Sequence, residues 1–182
     1  MKKVKIILIS IFVIITSACN LIMSPSEKVD SMLKKYIRND RSLMEELNYY
    51  IEQEDLNAEQ KNKYASIIKK EYASIKYTIL KEEIDDNKST VEVYISVTDL
   101  FGASNDCEEY LVEHPKEFYT DNEYDKSKFL DYKLNYMKDY TKTKDYTIYI
   151  TLHKNGEIWE IDEMDSETLE KIHGIYDYTL DS

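Results

Sequence analysis

Apolar residues recur at helical spacing in the first part of the chain. The run Ser24-Pro25-Ser26-Glu27 has the capping serine, early proline and glutamate that are typical of a helix start, and it predicts a helix over residues 25–38. Asn39-Asp40 and Asn57 can cap two further helices. The apolar positions expected to face inward are Val29, Met32, Leu33, Tyr36 and Ile37 in the first helix, Leu43, Leu47, Tyr50 and Ile51 in the second, and Tyr64, Ile67, Ile68 and Ile75 in the third.

The hydrophobic period then changes from helical spacing to strict alternation. A half-buried strand is indicated over residues 91–97, and residues 76–84 are expected to pair with it across the turn Asp85-Asp86-Asn87-Lys88. A second alternation covers residues 146–153, after which Asn155-Gly156 predicts a type I′ turn into a strand over residues 157–161. No acid stands among the expected inward positions of these strands, which are Val91, Val93, Ile95, Val97, Tyr146, Ile148 and Ile150.

Residues 99–144, between the two hairpins, give a weaker pattern. The apolar residues from Phe129 to Tyr140 indicate one helix, and Asp121-Asn122-Glu123-Tyr124-Asp125 is typical of a solvated loop. A short closing helix is expected from Ser166 to about Gly174. The order of elements therefore predicts an α+β domain, with N-terminal helices packed on a curved antiparallel sheet built from two hairpins.

The N-terminus has the organisation of a secretory signal. Three lysines precede an apolar run over residues 6–15, and three small residues follow it directly before Cys19. The run is shorter than the roughly 20 residues that a membrane-spanning helix needs. We therefore interpret residues 1–18 as a cleaved signal peptide; the alternative is an uncleaved helix that continues through Met23.

The end of this segment, Ile15-Thr16-Ser17-Ala18-Cys19, resembles a bacterial lipobox, with Thr16 where leucine is commonest. The resemblance implies that the Cys19 thiol carries a diacylglycerol and that Cys19 becomes the first residue. Because two acyl chains anchor a protein stably, we expect a lipid-anchored protein at the cell membrane that faces outside the cytoplasm. Residues 19–24 would then be a lipidated tether, residues 25–175 one domain, and residues 176–182 a tail that frays.

Charge restricts the possible partners. The chain has 24 basic and 36 acidic residues, and removal of residues 1–18 with their three lysines leaves 21 basic residues and a net charge of −15. Binding to a phosphate backbone needs clustered basic side chains, so nucleic acid is excluded as an expected partner. Attachment to the membrane is expected to depend on the lipid and not on the acidic domain surface.

Candidate chemistry beyond Cys19 is sparse. With Cys19 lipidated, Cys107 is the remaining thiol, and we expect it to be buried and unreactive; without lipidation, a disulfide between the two cysteines is the alternative. No phosphate-binding loop, nucleophile elbow or zinc motif is present, so no cofactor or metal is expected. His114, His153 and His173 lack metal-ligand spacing, and we interpret them as ordinary surface or strand residues. The acidic runs at 85–87 and 121–125 lack the calcium-loop pattern and are interpreted as solvated loops.

The order of elements and two segments resemble a group of small Gram-positive lipoproteins with a nuclear-transport-factor-like, cystatin-like cone fold. The first segment is Ser24-Pro25-Ser26-Glu27-Lys28-Val29, and the second is the hairpin over residues 145–162, in which Trp159 and an apolar residue precede an acid. The resemblance implies a concave sheet face and an interior pocket that Tyr94 and Tyr149, or their opposite-face neighbours, could line. Because fold alone does not determine activity, it implies no particular reaction.

Two functions are consistent with these observations. The first is a non-enzymatic, lipid-anchored module that binds a protein or a small-molecule ligand at the cell envelope. The second is a cone-fold small-molecule carrier or an isomerase-like enzyme with an interior pocket, which would need a buried acid with a tyrosine nearby. We expect the first, because the predicted inward strand positions contain no acid.

Overall fold

The structure, a computed structural model, describes residues 23–181 and has the expected α+β architecture. Cys19 and the predicted signal peptide lie outside these residues. The helices are α1 (Pro25–Ile37), α2 (Arg41–Gln53), α3 (Ala58–Ser74), α4 (Leu100–Glu113), α5 (Lys126–Asp139) and α6 (Ser166–Ile172). The strands are β1 (Lys76–Asp85), β2 (Lys88–Thr98), β3 (Tyr119–Thr120), β4 (Glu123–Tyr124), β5 (Thr143–Asn155) and β6 (Ile158–Ile161). Within this part of the chain, no helix has the length and apolarity needed to span a membrane.

The first three helices begin where their capping residues predict. Ser24 and Glu27 form a reciprocal capping box at the start of α1, and Asn57 and Gln60 form a second one at α3. The carboxylate of Asp40 accepts a hydrogen bond from the backbone N–H of Ser42 at the start of α2. Each cap satisfies backbone donors that have no partner within the helix, so these residues fix where the helices start.

The four long strands form one antiparallel sheet in the order β1-β2-β5-β6. Its two hairpins, β1–β2 and β5–β6, meet along the β2–β5 pair. One face of the sheet is buried by helices, with α1 packed on β6, β2 and β1, and α3 packed on β2. All seven predicted inward positions lie on this face. Tyr146 is half-buried and packs against the core, and the other six are at most 2% exposed: Val91, Val93, Ile95, Val97, Ile148 and Ile150.

Two turns differ from the sequence predictions. The type I′ turn on Asn155-Gly156 is wrong, because Asn155 pairs with Ile158 and the two loop residues are Gly156 and Glu157. Gly156 has a φ of 63° at the first loop position, which glycine adopts without steric cost. The predicted solvated loop at 121–125 is instead part of the β3–β4 hairpin, in which Asp121 and Asn122 both have positive φ, at 52° and 66°.

The connection between β2 and β5 contains one helix that the sequence pattern did not predict. Helix α4 begins at an Asp99 cap, packs against α5, and buries Leu100, Ala103 and Cys107. The position after the first two residues of α4 is occupied by Gly102, and a Cβ there would be 2.3 Å from a carboxylate oxygen of Asp99. Helices α4 and α5 thus form an insertion beside the helical layer.

The C-terminal segment packs on the domain, although it was expected to fray from residue 176. Tyr176 is 8% exposed, and its ring contacts that of Tyr146 edge to face at 5.8 Å. The Tyr178 hydroxyl donates a 3.1 Å hydrogen bond to the carboxylate of Asp99. The segment therefore links α6 to the start of α4.

Candidate functional site

The face of the sheet that points away from the helices carries both tyrosines that the sequence analysis proposed. We call this surface the outer face; its central residues are Thr90, Glu92, Tyr94 and Ser96 of β2 and Asp145, Thr147, Tyr149 and Thr151 of β5. Tyr94 is 40% exposed and Tyr149 is 58% exposed. Tyr94 lies opposite Thr147 and Tyr149 lies opposite Glu92, so the two rings are diagonal neighbours on adjacent strands.

This placement differs from the predicted pocket lining. Side chains alternate between the two faces of a strand, so the register that buries Val93 and Ile148 under the helices directs Tyr94 and Tyr149 to the opposite side. Neither tyrosine therefore lies between sheet and helices. Their opposite-face neighbours do lie there, but as packed core residues.

Tyr94 is held in place on the outer face by a charged partner. Its hydroxyl donates a 2.7 Å hydrogen bond to the carboxylate of Asp145. This bond raises the pKa of Tyr94, and hydrogen bonds from Ser96 and then Tyr94 lower the pKa of Asp145. Among the described residues, the side chain of Tyr149 makes no hydrogen bond or ring contact, so the outer face presents one ring held by a hydrogen bond and one ring without such a partner.

A second candidate lies inside the domain, where α1, α3 and the end of α6 meet. We call it the inner cluster; it consists of Tyr36, Glu71, Tyr72 and His173, each at most 2% exposed. The Tyr72 hydroxyl and His173 Nδ1 lie 3.0 Å apart, and the rings of Tyr36 and Tyr72 meet edge to face at 5.1 Å. Both carboxylate oxygens of Glu71 and the Nε2 atom of His173 are buried without a hydrogen-bond partner.

Burial keeps the ionisable groups of the inner cluster neutral. Loss of hydration raises the pKa of Glu71 well above its usual value and lowers the pKa of His173 to about 4. Burial also raises the pKa of Tyr36 and Tyr72, with smaller contributions from nearby groups that include Glu71 and the half-buried Glu46 of α2. The cluster is thus a group of buried polar side chains, surrounded by apolar core residues, in which burial favours the uncharged forms.

The inner cluster was not predicted, because a catalytic acid was expected at an inward position of a strand. Glu71 lies on a helix, and the signal was its position in the apolar stripe of α3 between Ile68 and Ile75. The interpretation of His173 as a surface or strand residue was wrong, since this residue caps the C-terminus of α6 inside the core. The signal for His173 was its position directly before Gly174, which predicts that the histidine lies at the C-terminal end of the helix.

The remaining candidates lie apart from both sites. His114 is exposed and stacks on the Tyr110 ring at 4.2 Å, while His153 on β5 contacts Asp162 at 2.6 Å. Among residues 23–181, no group of three or more potential ligands could hold a metal ion. Cys107 is fully buried beside Phe118 and Phe129, and burial raises the pKa of its thiol to about 11, as expected for an unreactive side chain.

One open groove is found on the solvent side of α1. It has a volume of about 490 Å³ and is lined by charged residues of both signs, including Glu27, Asp30, Lys34 and Arg38. The groove contains no residue of the outer face or of the inner cluster. Its lining does not have the apolar character typical of a small-molecule site.

Comparison with known proteins assigns none of these sites. No family model matches the chain, and no curated protein or solved structure matches it either. The resemblance to lipoproteins with a cone fold therefore stays a prediction.

Proposed function

We propose that this protein is a lipid-anchored extracytoplasmic domain that acts as a non-enzymatic interaction module at the bacterial cell envelope. The observation that supports the proposal is the one-sided sheet. Helices cover one face and bury most of its β2 and β5 side chains, whereas the outer face presents Tyr94 and Tyr149 to solvent. Exposed tyrosines on a rigid sheet are suited to contact with a partner, because they bring a large apolar area with little conformational entropy to lose.

A partner protein at the membrane suits the outer face better than a small ligand. Small-molecule sites are concave and mostly apolar, whereas a pleated sheet surface with alternating hydroxyls and charges suits another protein surface. Cys19 lies four residues before Met23, and an extended chain spans at most about 3.5 Å per residue. Since α1 begins at Pro25, six residues after Cys19, lipidation of Cys19 would hold the start of α1 within about 21 Å of the membrane surface.

The alternative function is a small-molecule carrier or an isomerase-like enzyme, and one observation favours it. Glu71 is a buried acid with Tyr36 and Tyr72 nearby, which is the pairing that such an enzyme requires. Native mass spectrometry of the chain purified from its own cells distinguishes the two functions. A bound small molecule that is lost in Glu71→Leu would favour the carrier, whereas an unliganded mass favours the interaction module.

Lipidation is tested separately. The mature protein is expected to have a diacylglyceryl group on an N-terminal Cys19, measured by mass spectrometry, and Cys19→Ser is expected to leave the membrane fraction. A Cys19→Ser variant that stayed with the membranes would contradict the lipid anchor.

Site-specific photo-cross-linking on intact cells tests the role of the outer face. A photoreactive residue at position 149 is expected to give one discrete adduct that disappears when Tyr94 is replaced by alanine. Tyr49 supplies the matched control, because it is 65% exposed but lies on α2. Equal adducts at positions 149 and 49, or none at 149, would reject the outer face as the binding surface.

A further inference from the structure

A buried histidine at the end of helix α6 contacts α1 and α3. His173 is 2% exposed, and its ring lies 6.0 Å from that of Tyr36 on α1 and 5.5 Å from that of Tyr72 on α3. Its Nδ1 atom is 3.0 Å from the Tyr72 hydroxyl, while Nε2 has no partner. This single polar contact therefore joins α6 to α3 inside the apolar core.

The residue after His173 brings two backbone segments into direct contact. Gly174 has a φ of 67°, and a Cβ at this position would lie 2.0 Å from the carbonyl oxygen of Thr98 at the end of β2. The backbone N–H of Phe101 in α4 donates a 2.9 Å hydrogen bond to the Gly174 carbonyl. The histidine and the glycine thus fix the end of α6 against α3 and against the β2–α4 junction.

A second proton on His173 cannot be accommodated in this arrangement. A neutral imidazole has one N–H donor, whereas an imidazolium has two donors and a charge. The Tyr72 hydroxyl can accept a hydrogen bond from Nδ1, but Nε2 has no acceptor. A buried charge without a partner is strongly unfavourable, so protonation favours a conformation in which water reaches the ring.

The groups around His173 do not compensate a positive charge. Tyr36 of α1 and Glu71 and Tyr72 of α3 face the ring, and the half-buried Glu46 of α2 lies further out. Glu170 and Lys171 precede His173 on α6, and Asp99 lies at the β2–α4 junction. Burial raises the pKa of Glu71 and so favours its neutral form, and no carboxylate among the described residues is hydrogen-bonded to this imidazole. The ring therefore has no hydrogen-bonded anion that would stabilise an imidazolium.

We propose that His173 is an acid-sensitive latch: its protonation releases α6 and the C-terminal segment, residues 166–181, from α3 and from the β2–α4 junction. The proposal does not depend on the lipid anchor or on the outer face. Release exposes the apolar residues Leu169 and Ile172, which are at most 4% exposed in the closed domain. An acidic environment would thereby create an apolar surface that is absent at neutral pH.

The direction of the pH effect follows from proton linkage. Burial lowers the pKa of His173 to about 4, while the same group in an opened segment has its ordinary value near 6.5. The opened form therefore binds the proton first as the pH falls, and the closed form loses its advantage from about pH 6.5 down to about pH 4. Between about pH 7.5 and about pH 5, the ratio of open to closed protein is expected to rise about 30-fold.

Hydrogen exchange followed by mass spectrometry on the full chain in mild detergent tests the latch. After correction for intrinsic rates, the amides of residues 166–174 are expected to open about 30-fold more often at the lower pH, while those of β2 and β5 stay protected. His173→Gln is expected to abolish the pH effect, and His153→Gln, which changes an exposed histidine, is expected to retain it. Gly174→Ala should open α6 at both pH values because of the contact with Thr98.

Two results would overturn the latch. One is parallel exchange in α6, β2 and β5, which would show global unfolding instead of local release. The other is an acid effect on α6 that persists in His173→Gln. If that variant does not fold, the titration of His173 in the wild-type protein, followed by NMR, decides the question. The latch requires that the His173 imidazole stays neutral until α6 opens. Titration of His173 near pH 6.5 in a closed domain would reject the latch.

Discussion

Replacement of Glu71 by glutamine is expected to change how stability depends on pH. The wild-type carboxyl is 1% exposed, neither of its oxygens has a partner, and burial raises its pKa well above the usual value. In the unfolded chain a glutamate loses its proton near pH 4.3. Above that pH the native state holds one more proton than the unfolded state, so the free energy of unfolding falls as the pH rises.

The magnitude follows from a single proton. Each pH unit between the unfolded and native pKa values of Glu71 changes the free energy of unfolding by about 1.4 kcal/mol. Glutamine does not titrate, so Glu71→Gln is expected to gain stability relative to wild type as the pH rises above about 4.3, by up to about 1.4 kcal/mol for each pH unit until the native carboxyl ionises. His173 changes stability in the opposite direction over the acidic part of this range, but it is present in both proteins and its effect cancels in the difference.

Urea denaturation at a series of pH values, followed by circular dichroism, measures this difference. Glu109→Gln is the matched control, because Glu109 is an exposed residue of α4, and its stability should run parallel to that of wild type. The reasoning would be refuted if the difference between wild type and Glu71→Gln were the same at all pH values. A constant difference would mean that Glu71 has the same pKa in the folded and unfolded chain.

Three further predictions concern local structure. In a Cys19→Ser background, a water-soluble thiol reagent is expected to modify Cys107 only on unfolding, because the thiol is fully buried; fast labelling of the folded chain would contradict this. Asn57→Ala should destabilise the domain by about 1 kcal/mol in thermal or urea unfolding, since it removes the capping box of α3, and an unchanged midpoint would contradict the assignment. Gly102→Ala should destabilise the domain because the new Cβ would lie 2.3 Å from the Asp99 carboxylate, although a glycine-to-alanine change in a helix is ordinarily stabilising. A more stable variant, measured in the same way, would show that this contact is relieved at no cost.

Local signals were sufficient to predict much of the fold. Ser24 and Asn57 fix the starts of α1 and α3 through contacts within three residues, and the alternation in β2 and β5 fixes which face is buried. These features depend on short stretches of chain, so the sequence shows them directly. Helix α4 was missed because its buried residues Leu100, Ala103 and Cys107 give a weak apolar stripe interrupted by Gly102.

The inner cluster could not be predicted because it depends on distant parts of the chain. Tyr72 and His173 are separated by 101 positions, and only the docking of α6 on α3 brings them together. The outer face was partly predictable, since Tyr94 and Tyr149 were identified as a pair. The alternation that buries the valines and isoleucines also places Tyr94 and Tyr149 on the opposite face, so their exposure could have been predicted from the sequence.

The pairing of β2 with β5 has a consequence for how the chain folds. These two strands form the centre of the sheet, yet Thr98 and Thr143, which pair at one end, are separated by the whole α4–α5 insertion. The β1–β2 hairpin can form early from neighbouring residues, but joining the two hairpins requires closure of a long loop. We therefore expect the formation of the β2–β5 pair to limit the folding rate, and a shorter, prestructured insertion to accelerate folding without altering the finished sheet.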